Sequence, residues 1–251
     1  MGLFSAIASF ITGVCSAIGA IASSIGLAKI GMLLTAAITA LNPIIGLIIA
    51  AIPLVLKILE MVAPKEVKPK DIESGELAVK AESCKDIKPE SYKTTSEYIK
   101  AVQESIESNP EKRAWIDEKM NSLTPEEKDA YKLVSVGMAG VLVAEKLNTE
   151  YVDPAFIAKA NAAGLDAEKT ISFIKELSAK ELSTSDANAY FDGNLGGDAF
   201  EKARDGVKSA MGKMDTSLTT EEQLKNAVTV MFEKIEAAEV EAKEKLESGE
   251  A

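Results

Sequence analysis

The sequence predicts an all-α protein in which apolar, hairpin-like membrane-inserting helices precede an acidic helical bundle that ends in a long amphipathic helix. The chain carries 28 Lys and Arg and 39 Asp and Glu, yet residues 1–63 contain only Lys29, Lys57 and Glu60. Helix-capping motifs and three-to-four-residue apolar spacing recur in the rest of the chain. No segment shows the alternating pattern that is typical of a half-buried β-strand.

Two changes in composition divide the chain into three parts. Residues 1–63 form an apolar membrane-inserting region, residues 64–94 a polar, proline-containing linker, and residues 95–251 an acidic soluble all-helical domain. The whole chain has a net charge of −11, and the excess of carboxylates lies outside the apolar region. Because phosphate binding needs a basic face, we do not expect nucleic acid as the main partner.

The apolar region is long enough to enter a membrane. Its two uncharged runs, residues 1–28 and 30–56, each exceed the ~20 residues that a helix needs to cross a bilayer core of about 30 Å. A cleaved signal peptide would have a basic start and a shorter apolar run, so we exclude that interpretation. A lipid bilayer is therefore the expected partner.

Breaks within the apolar region predict three helices, over about residues 3–22, 27–41 and 44–62. Asn42-Pro43 separates the last two, and Pro53 is expected to kink the third. The residues expected to enter the bilayer are the bulky side chains of the first and third helices: Leu3, Phe4, Ile7, Phe10, Ile11, Ile44, Ile45, Leu47, Ile48, Ile49, Leu54 and Leu56.

The first helix is rich in Ala, Ser and Gly, which let helices approach closely in lipid. We expect helix packing at the glycines Gly13, Gly19, Gly26 and Gly31, and we expect the chain to form a homo-oligomer. Residues 2–11, GLFSAIASFI, resemble the amino-terminal fusion peptides of enveloped-virus fusion glycoproteins. The resemblance is one of physical type and covers these ten residues. It implies a short apolar helix that enters a bilayer from one side.

The acidic part contains a series of predicted helices. One opens at Thr95-Ser96, another at Asn109-Pro110, and a third follows Thr124, with Pro125 in its first turn and Glu127 closing a capping box. The third contains the apolar segment 133–144, which is too short to span a bilayer. We therefore expect it to be the central buried helix.

Further helices are expected over 154–163 and 166–182, and a last one after the start signal 217–222. The last helix places apolar side chains at alternating four- and three-residue steps, which is typical of a packing seam. This seam could face its own bundle or a neighbouring subunit. Its residues are Leu224, Val228, Met231 and Ile235.

The chain offers little that could carry out chemistry. It contains no histidine, and its two cysteines, Cys15 and Cys84, lie in different parts. The oxygen-rich segment 186–198 fails the ligand pattern of a calcium-binding EF-hand loop, so we expect a flexible inter-helix loop there. We predict no catalytic site, no metal site, no cofactor and no small-molecule substrate.

These observations predict a non-enzymatic, membrane-associated protein that oligomerises and forms a pore or channel. It would act as a pore former, or as a channel-building component of a delivery machine or phage ejection apparatus. Before insertion it could be part of a virion or a secretion machine. The alternative is a structural scaffold embedded in a membrane or virion, with residues 1–63 shielded by lipid or by protein.

Overall fold

A computed structural model describes residues 44–88 and 91–248 of the chain. Within these ranges the protein forms twelve α-helices and no strand, so the all-α prediction is confirmed. In chain order the helices are α1 (Ile44–Ala50), α2 (Ile52–Val62), α3 (Pro69–Glu73), α4 (Glu76–Ser83), α5 (Thr95–Ser108), α6 (Pro110–Ser122), α7 (Pro125–Leu147), α8 (Pro154–Ala162), α9 (Ala167–Ala179), α10 (Thr184–Phe191), α11 (Gly197–Met214) and α12 (Glu221–Ser248).

Side-chain hydrogen bonds begin two long helices where the sequence predicts. The Thr124 hydroxyl accepts from the Glu127 amide at 3.2 Å, and the Glu127 carboxylate accepts from the Thr124 amide at 2.9 Å. Thr220 and Gln223 form the same reciprocal pair at the start of α12, with distances of 3.2 and 2.9 Å. These bonds satisfy backbone N–H groups that the first turn of a helix leaves without a partner.

Helix α7 lies at the centre of the core. Every residue of its segment 133–144 is buried, which confirms the prediction of a central buried helix. Helix α7 packs against α2 and α4, and also contacts α1, α3, α5 and α8. A 23-residue helix therefore holds the first helices of the described chain against later ones.

The apolar helices α1 and α2 form one stretch that bends by 49° around Ala51. Pro53 lies in the first turn of α2, where its ring crowds the preceding turn. The predicted kink is therefore present. Because α1 packs against α7, α8 and α12, and α2 against α7 and α9, residues 44–62 share one core with the helices after residue 95. The division predicted at residue 63 is a change of composition and not a gap in the packing.

Residues 64–94 differ from the polar linker that we predicted. They contain α3 and α4, and Ile72, Leu77 and Val79 from these helices are at most 2 % exposed. Gly75, between the two helices, has a φ of +80°, a conformation that glycine adopts without strain. The apolar residues of this segment are interspersed among charged ones, so its composition suggests a linker. They are buried because α3 and α4 pack against α7.

The segment 186–198 also differs from the expected loop, because its first part is helical. The Ser183 hydroxyl accepts from the Asp186 amide at 3.1 Å, and the Asp186 carboxylate accepts from the Ser183 amide at 2.8 Å. This capping box opens α10. The non-helical part is limited to residues 192–196.

Two helical glycines provide a matched test of the packing. A Cβ atom at Gly140 in α7 would lie closer than 3.0 Å to the carbonyl oxygen of Val152, whereas a Cβ at Gly46 in α1 would meet the Ala242 Cβ at 3.9 Å, an ordinary contact. Gly140→Ala should lower the free energy of unfolding by about 1–3 kcal/mol, because backbone must move. Gly46→Ala should leave it unchanged or raise it by up to ~1 kcal/mol, because alanine favours a helix.

Urea unfolding of the full chain, followed by circular dichroism, measures both values. Equal stability of Gly140→Ala and the parent protein would contradict the packing of α7 against the segment before α8.

Candidate functional site: an apolar helix pair and its cover

The apolar helix pair, α1 with α2, is the feature of the described chain that is relevant to a membrane. Among the described residues, no single helix has both the length and the apolar composition of a membrane span. The bent pair Ile44–Ala50 and Ile52–Val62 does meet both criteria when it is taken as one segment.

Most of this pair's apolar surface is covered by other helices. Of the residues predicted to enter a bilayer, Ile44, Ile48 and Leu54 are buried. The half-buried ones are Ile45, Leu47, Ile49 and Leu56. The remaining predicted insertion residues (Leu3, Phe4, Ile7, Phe10 and Ile11) and packing glycines (Gly13, Gly19, Gly26 and Gly31) lie outside the described residues.

One side of the pair faces solvent. Ala50 and Pro53 are exposed near its middle, and Lys57, Glu60 and Met61 are exposed near its end. The exposed fraction of Met61 is 51 %. A polar substitution at Ala50 is therefore compatible with the folded protein, although position 50 lies in the centre of the apolar stretch.

Helix α12 covers part of α1. It packs against α1, α8 and α11, and its seam residues Val228, Met231 and Ile235 are buried while Leu224 is half-buried. The seam therefore faces the protein's own bundle. Near the other end of α12, Ala242 lies over Gly46 of α1, so two small residues let these helices approach closely.

An aromatic cluster anchors the middle of α12. The ring of Phe232 lies 5.2 Å from that of Tyr190 and 5.3 Å from that of Phe191, both near perpendicular at 72°. Tyr190 also contacts Phe200 of α11, with ring centroids 5.3 Å apart. Edge-to-face pairs of this kind stabilise by about 0.5–1.5 kcal/mol beyond burial of their area.

A buried lysine links α8, α10 and α12. The side chain of Lys159 is 2 % exposed; its ammonium pairs with Asp192 after α10 and lies 4.0 Å from Glu239 of α12. One turn earlier on α12, Lys234 donates a hydrogen bond to the carbonyl oxygen of Ala163 at 3.3 Å. A charge taken out of water needs partners, so these contacts fix where α12 lies on α8.

A buried carboxyl group lies at the other end of α8. Asp153 accepts a hydrogen bond from the Ala155 amide at 2.9 Å, and its own amide donates to the Thr184 hydroxyl at 2.8 Å. Burial raises the pKa of Asp153 above its ordinary value, although hydrogen bonds and the charge of Lys159 oppose the shift. Burial, together with the charges of Asp192 and Glu236, raises the pKa of Glu239, and Lys159 again opposes it.

Sequence reasoning missed this charged cluster because it assigned charged residues to the solvent-facing sides of helices. The signal was present in PAFIAKANA, residues 154–162, where Lys159 is the single charge among apolar and small residues. Such a lysine either extends to the surface or is buried with a partner. The partners come from α10 and α12, more than 30 residues away in the chain, and no local pattern identifies them.

A separate surface cavity of about 380 Å³ lies among α3, α4, α5 and α6 and contains charges of both signs. Its Lys80 ammonium is already paired with Asp71 at 2.7 Å and Glu76 at 2.8 Å. Burial alone lowers the pKa of Lys80, but the hydrogen bonds to both carboxylates raise it above its ordinary value. Within residues 44–88 and 91–248, no three His, Cys, Asp or Glu side chains are arranged to hold a metal ion.

Comparisons with protein-family models, with curated proteins and with solved structures give no significant match to this chain. A functional inference therefore depends on the apolar pair, on its packing against α12, and on the charges that join α12 to α8.

The ion pairs of Lys159 can be tested by removing both partners. The double variant Asp192→Asn/Glu239→Gln removes both ion-pair partners of the buried ammonium, and we expect it to lower the free energy of unfolding by up to about 3 kcal/mol. This is the lower end of the range for a broken buried pair, because both carboxylates are partly exposed. Adding Lys159→Met to the double variant should restore most of the loss. If the triple variant is no more stable than the double in urea unfolding, the interpretation is wrong.

The raised pKa of Asp153 predicts a pH dependence of stability. The folded protein keeps this carboxyl protonated at pH values where the unfolded chain has lost the proton, so the favourable contribution is lost as pH rises through the folded pKa. Asp153→Asn retains an N-cap side chain but cannot ionise. The stability of the parent relative to Asp153→Asn should therefore fall as the pH rises above about 4, the ordinary range of an aspartate carboxyl group. If the stabilities of the parent protein and of Asp153→Asn change with pH in the same way, the Asp153 carboxyl group is not desolvated.

Proposed function

We propose that this protein inserts into lipid bilayers and oligomerises to form a pore or channel, with α1 and α2 as part of the insertion element. The observation that carries the proposal is the composition of residues 1–63, which contain three charged side chains, whereas the rest of the chain carries 26 Lys and Arg and 38 Asp and Glu. This segment ends in the bent pair, whose length and composition suit a span. The proposal includes no catalytic step.

The pair has the properties that hydrocarbon requires. Nineteen residues, 44–62, have a helical path length of roughly 28 Å at about 1.5 Å per residue, which matches the ~30 Å of a bilayer core once the 49° bend straightens. Two hydrogen bonds cross the bend, from the Ala51 amide to Leu47 at 2.9 Å and from the Val55 amide to Ala51 at 3.0 Å, while Pro53 has no N–H to donate. Lipid offers no other partner for such groups, so this internal bonding favours insertion.

Burial of the pair in the folded chain supports two states of the protein, one in water with the pair covered by other helices and one with the pair inserted in a bilayer. In water, α7, α8, α9 and α12 cover its aliphatic side chains. A bilayer offers those side chains an equivalent apolar environment, while the acidic helices favour water. One bent pair encloses no lumen, so a pore requires several copies of the chain, and the expected location is a membrane.

A structural scaffold is the second candidate, and the burial of Ile44, Ile48 and Leu54 inside the protein favours it specifically. A scaffold of a virion or membrane would keep these residues covered by protein. It would bind vesicles without leakage, or would not bind them. Vesicle flotation measured alongside dye release separates the two candidates.

A charge at Ala50 tests the proposal, because position 50 faces solvent in the folded protein and would face hydrocarbon after insertion. A charged side chain at the centre of a span costs ~2.5–3.5 kcal/mol. Ala50→Asp should leave the circular dichroism of the protein unchanged in the absence of lipid. It should slow dye release from phosphatidylcholine–phosphatidylglycerol vesicles by about tenfold or more, as each ~1.4 kcal/mol changes a rate tenfold.

Two control variants accompany Ala50→Asp. Val230→Asp adds the same charge at an exposed position of α12, where the exposed fraction of the valine is 49 %, and Ala50→Ser adds a polar group without charge. Both should release dye at nearly the parent rate. Equal rates for Ala50→Asp and Val230→Asp would contradict insertion of α1 and α2.

A further inference from the structure

The contact between α12 and α1 has the form of a removable cover. Ala242 lies opposite Gly46, with 3.9 Å between the Ala242 Cβ and the position that a Cβ on Gly46 would occupy. Two residues this small contribute little burial to hold the helices together. Around Ala242, the side chains of Val240, Glu241, Lys243 and Glu244 are exposed.

The stronger contacts of α12 lie closer to its beginning. They are the Phe232 ring against α10, the Lys234 hydrogen bond to Ala163 directly after α8, and the ion pair of Glu239 with Lys159 at 4.0 Å. The loop that precedes α12, residues 215–220, is exposed apart from the half-buried Leu218. The aromatic, hydrogen-bond and ion-pair contacts described above thus lie before residue 240, whereas the contact of α12 with α1 at Ala242 joins two small residues.

Helix α12 is also unsuited to follow α1 into lipid. Its 28 residues include eight Glu and four Lys, and each charge is costly inside a bilayer. If α1 enters hydrocarbon while α12 remains in water, the contact between Gly46 and Ala242 must be lost.

We propose that α12 is an autoinhibitory cover, and that its second half must separate from α1 before α1 and α2 reach a bilayer. This inference depends on the proposed membrane insertion and adds the step that controls it. The ion pair of Glu239 with Lys159, at 4.0 Å, lies just before the covering half begins and would influence how readily the cover opens.

A reversible cross-link tests the separation directly. Cysteines at Gly46 and Ala242 would have Cβ atoms about 3.9 Å apart, within the ~3.5–4.5 Å of a disulfide. The pair Gly46→Cys/Ala242→Cys is made in a Cys15→Ser background, while the buried Cys84 is retained. Gly46→Cys alone, in the same background, is the control.

With the disulfide formed, dye release from phosphatidylcholine–phosphatidylglycerol vesicles should be at least about tenfold slower than for the same protein after reduction, a change equivalent to ~1.4 kcal/mol in opening. The single-cysteine control should respond to neither oxidant nor reductant. Equal release by the oxidised and reduced pair, with the cross-link verified by mass spectrometry, overturns the inference and leaves the proposed function standing. If no form of the protein releases dye, including the parent, both the proposed function and the inference are overturned.

A second variant tests the same step without a cross-link. Glu239→Lys places an ammonium group near Lys159 and should loosen the cover, so that dye release becomes faster than for the parent protein. Val240→Lys, at the exposed neighbouring position (52 %), adds the same charge away from Lys159 and should not accelerate release. Equal rates for these two variants would count against the cover.

Discussion

The structure depends on removing one aliphatic stretch, residues 44–62, from water. Side chains such as Val55 and Ile58, at most 1 % exposed, stabilise the fold by burial in proportion to the apolar area they lose from water, at about 25 cal/mol per Å². The fully buried part of α7 provides the surface on which they pack, and α8, α9 and α12 close the other sides. Charged residues occupy most of the outer faces, around this apolar centre.

Local sequence motifs predicted the positions of several helices, whereas packing between distant parts of the chain determines which residues form the core. The helix starts at Thr124 and Thr220 were predictable because a side chain and a backbone amide three residues away are sufficient to form them. The interpretation of residues 64–94 as a linker was wrong for α3 and α4, because Ile72 and Leu77 become core only when α7 lies beside them. Composition also cannot distinguish a span from a core helix, since both need the same aliphatic side chains.

The charged cluster shows a different limit of sequence reasoning. Lys159 was visible as a lone charge on an apolar helix, but its partners Asp192 and Glu239 come from distant elements. Such a cluster stabilises less than apolar packing of the same volume, because the charges lose their hydration. Its value is positional: it specifies how α12 lies on α8, and therefore how α1 is covered. Weak packing between small residues and a specific charged contact together suit a helix that separates without unfolding the core.

The proposed insertion requires residues 44–62 to exchange a protein environment for a lipid one. The most direct measurement attaches an environment-sensitive NBD fluorophore to Ala50→Cys in the Cys15→Ser background, since position 50 is exposed and the buried Cys84 is shielded from labelling. On addition of vesicles, insertion of residues 44–62 predicts a blue shift of the emission and quenching by lipids that carry a nitroxide in the acyl chain. Emission that stays water-like, with no quenching while the protein is bound to the vesicles, would contradict it.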